Sequence, residues 1–89
     1  MIRCVKQFVW RGRPRLDQII VGTDNQDYLV SSGIVLASKG KRGVFLYHNW
    51  DKYMSWALWV SRFLAYPLKD IRERIDKGIY KTVYEIIIE

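Results

Sequence analysis

A small α+β domain is what this sequence predicts: a mostly antiparallel or mixed β-sheet of four to six strands. One long, proline-broken helical segment packs on one face of it, in the order β-β-β-β-α-(α)-β. Three observations point there. Short apolar runs with period-two alternation fill the first half, a tryptophan-rich stretch with helical spacing follows, and a β-branched run closes the chain. The 89 residues, 49% of them hydrophobic, suffice for a single domain over 1–89 with its own core. No linker, repeat or low-complexity block divides them.

Residues 2–10, IRCVKQFVW, alternate, so that Ile2, Cys4, Phe8 and Trp10 share a face on which Lys6 is the only intruder. Gly12 and Pro14 in RGRPR (11–15) end this strand in a loop. A second strand, QIIVG (18–22), closes at the turn-forming TDNQD (23–27). YLV (28–30) and IVLAS (34–38) flank SSG as further strand-like runs. KGKRG (39–43) then turns tightly into VFLYH (44–48) to make a hairpin.

Asn49 or Asp51 is suited to cap the helix that follows, because either side chain accepts bonds from the first free backbone amides. Tyr66 precedes Pro67, and a residue before proline is pushed out of the helical region, so the helix breaks there. Pro67 starts a second helix through Lys77, with Leu68, Ile71 and Ile75 as its apolar stripe and Gly78 at the left-handed position beyond its end. IYKTVYEIIIE (79–89) returns as a strand with Tyr80, Thr82, Tyr84, Ile86 and Ile88 on one face.

Fifteen Lys and Arg against nine Asp and Glu give a formal charge of +6, which attracts polyanions, nucleic acid first among them. The single cysteine, Cys4, excludes an internal disulfide and any cysteine metal cluster, and it fits a reducing cytoplasm. No signal peptide is predicted. A membrane role fails on length and charge, because the apolar stretch over 53–68 is too short to span a bilayer and contains Arg62.

The stretch 49–66, NWDKYMSWALWVSRFLAY, carries the functional argument. On a helical wheel Trp50, Tyr53, Ala57, Val60 and Leu64 form the core stripe. Lys52, Ser55, Trp59, Arg62 and Tyr66 form a second one, and Trp56 and Phe63 lie between. Aromatic rings at helical spacing are usually core, and Trp59 and Tyr66 fit a wide apolar face covered by the sheet or by a second copy. Alternatively the second stripe is a ligand face, with Trp56, Trp59 or Tyr66 stacking on a base while Lys52 and Arg62 meet phosphate. Two loops add cations to it. Arg11, Arg13 and Arg15 supply fork-shaped donors in RGRPR. Lys39, Lys41 and Arg42 stand beside glycines in SKGKRG (38–43), where exposed amides would form an anion nest.

Catalysis finds little support: His48 is the only histidine, no serine has an elbow or a base partner, and no carboxylate pair is spaced for acid–base work. That leaves metal-free phosphodiester cleavage by His48 with Lys or Tyr neighbours as a remote alternative to the expected non-enzyme. Neither a cofactor nor a metal is predicted. No known family is recognised, and both the paired aromatics of an RNA-recognition sheet and a helix-turn-helix pattern are missing. The expectation is a small non-enzymatic binder of a phosphate-bearing ligand, single-stranded nucleic acid or a free or signalling nucleotide, which it holds or sequesters. A small, basic, motif-free chain of this kind fits a phage-encoded accessory or anti-defence protein. The alternative is a protein–protein module that inhibits a host enzyme through its Trp- and Arg-rich helix. With sticky surface on that helix and on the last strand, a homodimer is the default assembly.

Overall fold

The computed structural model describes residues 2–10 and 13–88, with side chains for 2–8 and 18–88. An α+β domain is what it shows. Six strands form one sheet in the order of the chain: β1 (Ile2–Trp10), β2 (Arg13–Thr23), β3 (Gln26–Ser31), β4 (Ile34–Gly40), β5 (Phe45–Tyr47) and β6 (Lys81–Val83). Two helices, α1 (Met54–Leu64) and α2 (Leu68–Asp76), connect β5 to β6. The first five strands are an antiparallel meander, and β6 returns parallel to β5. Five strands thus precede the helices, one more than the expected order allowed.

Alternation divides the sheet into two apolar faces. On one, Phe8, Leu29, Leu36, Ala37 and Leu46 form the main core with Trp50, Ala57, Trp59, Val60, Phe63, Leu64, Ile71 and Tyr80. On the other, Val21, Tyr28 and Val30 are covered by Ile86 and Ile88 of the C-terminal segment. Residues 79–89 are therefore not one strand with one apolar face. Tyr80 belongs to the helix side, while the chain beyond Val83 crosses to the far side of the sheet. The change of side explains how a uniformly β-branched run serves two cores.

Local chemistry sets the boundaries. Residues 13–15, expected in a loop, begin β2 and pair with 8–10, Arg15 lying opposite Phe8. Pro14 is tolerated there because β2 pairs with β3 only from Gln18 to Gly22, so this part of the ribbon has a single neighbour. Neither expected cap starts α1. Trp50 is buried, and turns closed by Trp50 N–H to the Tyr47 carbonyl (2.9 Å) and Lys52 N–H to the Asn49 carbonyl (3.0 Å) occupy the approach. The helix begins only after Tyr53, which makes no side-chain capping bond.

At the far end of α1, Ala65 takes the left-handed conformation (φ 61°). Its N–H reaches the Arg62 carbonyl and the Tyr66 N–H reaches the Ser61 carbonyl, both at 3.3 Å, the paired bonds of a Schellman motif. The Ser61 hydroxyl also donates to the Tyr66 carbonyl (2.6 Å). Pro67 sits just outside α2 at its N-cap, and Gly78 adopts the expected positive φ beyond its end.

Two substitutions test this description by urea denaturation. Ala65→Gly removes a Cβ from a left-handed residue and should stabilise the protein by about 0.5–1 kcal/mol. Gly40 has φ 153°, and a Cβ there would lie 2.2 Å from the Asn25 carbonyl oxygen, so Gly40→Ala should cost about 2–4 kcal/mol.

Candidate nucleotide or nucleic-acid interface

The residues singled out in the sequence do not form one stripe. Lys52 and Tyr66 lie outside α1, which spans only Met54–Leu64, so the wheel that grouped them continues past both ends of the real helix. Trp59, expected on the ligand face, is 9% exposed and packs in the main core. Tyr53, expected in the core, is instead half exposed. The seated face of α1 carries Ala57, Trp59, Val60, Phe63 and Leu64. Tyr66 remains 40% exposed, but the Arg74 guanidinium stacks on its ring at 3.9 Å. The same guanidinium lies 5.8 Å from the ring of Tyr80. Burial pushes the Tyr80 phenol above its ordinary pKa, a rise opposed by the charge of Arg74. Trp56 is half-buried between Tyr53 and Tyr47, with ring centroids 4.8 and 6.3 Å away.

The loop cations separate as well. Lys39 lies within β4 rather than in the turn, and it pairs in register with Asp27. Its ammonium donates to the Phe63 carbonyl at 2.6 Å and sits 4.6 Å above the Phe63 ring, at the negative end of α1. Lys41 and Arg42 are exposed on the turn that follows. An anion nest is not available there. Lys41 N–H donates to the Asn25 carbonyl (2.8 Å), Arg42 N–H to Gln26 Oε1 (2.9 Å) and Gly43 N–H to the Gly40 carbonyl (3.0 Å). Gln26 is buried and also donates to the Gly43 carbonyl (3.1 Å), which pins this turn to β3. Of the arginine cluster, Arg11 lies outside the described residues, and Arg13 and Arg15 are placed by backbone alone.

What the fold does bring together is Lys39 and Arg62. They line a cleft of about 290 Å³ with Lys6, Gln7, Phe8, Ile20, Asp27 and Phe63, between the sheet and the last turns of α1. Three elements thus converge: β1 contributes Lys6, β4 Lys39 and α1 Arg62. Asp27 is the one acid in the lining among the described residues. Lys6 and Arg62 are exposed, and neither forms an ion pair among the described residues. Lys6 was not among the predicted site residues. Its signal was present, however, as the single cation on the apolar face of the first strand. Arg42 faces elsewhere, into a cleft of about 250 Å³ beneath the C-terminal segment, with Gln26, Tyr28, Ser38 and Glu85.

No protein-family model, curated protein or solved structure matches the chain. No helix is long and apolar enough to cross a membrane among the described residues.

The two cations shared by the predictions and the cleft play different parts in stability. Lys39→Met should lose about 1–2 kcal/mol, because it removes a charged donor from a helix-end carbonyl. Arg62→Ala, at an exposed position, should stay within about 0.5 kcal/mol of the parent in the same urea titration.

Proposed function

We propose that the protein is a non-enzymatic binder of a phosphate-bearing ligand, single-stranded nucleic acid or a free nucleotide, at the cleft between β1, β4 and α1. One observation carries this reading: Lys6, Lys39 and Arg62 converge from three elements on a cleft whose walls include the rings of Phe8 and Phe63. Lys39 is already fixed by the end of α1, so its charge is held in place. Lys6 and Arg62 are solvated side chains that give up little on meeting phosphate. The formal charge of +6 adds long-range attraction for the same class of ligand.

The chemistry is that of side-chain charges and not of a phosphate-binding loop, because the turn amides that would form a nest are bonded internally. Such contacts are salt-sensitive and read no sequence. Register places Arg15 directly across from Phe8, so the arginine-rich start of β2 adjoins the cleft along the same ribbon.

Fluorescence anisotropy with a labelled oligothymidylate, and separately with a labelled adenine nucleotide, tests this proposal over a range of salt. At low ionic strength one of the two probes should bind. For the oligonucleotide, affinity should fall with salt with a slope of roughly 0.7 per phosphate contacted, and Lys6→Ala with Arg62→Ala should lower that slope by about 1.4 in total. Absence of binding by both probes at low salt, in protein freed of co-purifying nucleic acid, would overturn it.

A further inference from the structure

Away from the cleft, at the other end of α1, five aromatic rings follow one another across the surface. Tyr84 meets His48 at 4.8 Å, His48 meets Tyr47 at 4.6 Å, Tyr47 meets Trp56 at 6.3 Å, and Trp56 meets Tyr53 at 4.8 Å. Topology assembles this row. Because β5 and β6 are parallel, with Tyr47 opposite Val83, the residues that follow them emerge side by side. The His48 N–H donates to the Val83 carbonyl at 2.8 Å and locks that juxtaposition. Tyr53 and Trp56 join from the start of α1.

The middle of the row is anchored and its ends are bare. Tyr47 and Trp56 pack against the main core, whereas Tyr84 is 84% and Tyr53 50% exposed. Neighbouring rings meet at 52° to 89°, so none lies flat against the next. Lys52 sits 5.6 Å from the Tyr53 ring centre. Exposed rings at the ends of a row whose middle packs on the core, with a cation beside them, match a surface on which bases stack while phosphate meets charge.

We propose that Tyr53 and Tyr84, braced by Trp56, Tyr47 and His48, form a base-stacking platform for a single-stranded nucleic acid. This rests on the reading that the protein binds phosphate-bearing ligands, and it selects the polymer over the free nucleotide, because platform and cleft lie at opposite ends of an eleven-residue helix. Glu85 follows Tyr84 and is the acid of the cleft beside it, lined by Ile34, Val35 and Tyr47. Its charge opposes the polyanion.

Oligothymidylates of roughly 4 to 16 nucleotides, titrated by anisotropy, test the platform. Affinity should rise with length until one strand reaches both surfaces. Tyr84→Ala and Tyr53→Ala should each weaken the longer oligonucleotides by about fivefold or more with an unchanged salt slope, while Tyr84→Trp retains binding and Glu85→Gln strengthens it. Both tyrosines are exposed, so thermal melting should show the variants folded. Failure of every oligonucleotide to bind at low salt while the adenine nucleotide binds removes the platform alone, whereas failure of both kinds of probe removes the ligand reading and the platform together. Salt-dependent binding that both alanine variants leave unchanged removes the platform alone.

Discussion

Everything in this structure depends on how α1 is seated. At eleven residues it is shorter than helices that persist alone in water, it lacks a side-chain cap at Tyr53, and it ends on an alanine in a conformation that alanine disfavours. Burial is what holds it. Ala57, Trp59, Val60, Phe63 and Leu64 all enter the core, and each large side chain fully withdrawn from water contributes on the order of 1.5–3 kcal/mol. The same docking decides what stays outside. With Phe63 inward, Arg62 is left at the rim beside Lys39, and with Ala57 and Val60 inward, Trp56 is left half-exposed against Tyr47 and Tyr53.

The sheet beneath α1 is apolar on both sides, which a domain of 89 residues with two helices cannot cover by helices alone. The last residues of the chain cover the second face through Ile86 and Ile88, leaving Tyr84 and Ile87 in solvent. Covering both faces divides the basic side chains. Lys39 points toward α1, while Arg42 lines the cleft beneath the C-terminal segment, although only three positions separate them in the chain. Gln26, itself buried, enforces that division by holding the turn between them with part-buried hydrogen bonds. Such bonds are costly to break, since each orphaned buried partner loses about 1–3 kcal/mol.

Most of the architecture was legible because period-two alternation and a proline break are local signals, and β3, β4, α2 and the turn glycines followed from them. The site was less legible, for identifiable reasons. A helical wheel assumes one continuous helix, and the stripe containing Lys52, Trp59, Arg62 and Tyr66 dissolves once α1 is confined to Met54–Leu64. Indole has a polar edge but a large apolar area, and for Trp59 the area prevails. Lys39 looked like a turn residue beside Gly40, whereas its ammonium bonds a carbonyl 24 positions later, a contact no sequence window contains. Tyr47, His48, Tyr53 and Tyr84 were visible individually, but their row depends on β6 lying parallel to β5, and strand order is not written in any one segment.

The distribution of acids favours side-chain charge as the source of any attraction for anions. Where acids pair with cations, Asp24 engages Arg3, Asp51 engages Arg72 and Glu73 engages Lys77, all among exposed side chains. Such pairs contribute little to stability, but they neutralise cations remote from the cleft. Among the described residues, Lys6 and Arg62 are not neutralised in this way, and Asp27 is the one acid beside three cations in the lining. An excess of charge concentrated in a shallow cleft gives attraction without fixed donor geometry. In the proposed reading the contacts go to phosphates and to the faces of bases, which carry no sequence information. A duplex hides the faces of its bases within its own stack and has nothing to offer exposed tyrosines. Under the proposed reading, discrimination between single and double strands would follow from the rings, and the charges would set only how strongly and how salt-dependently a strand is held.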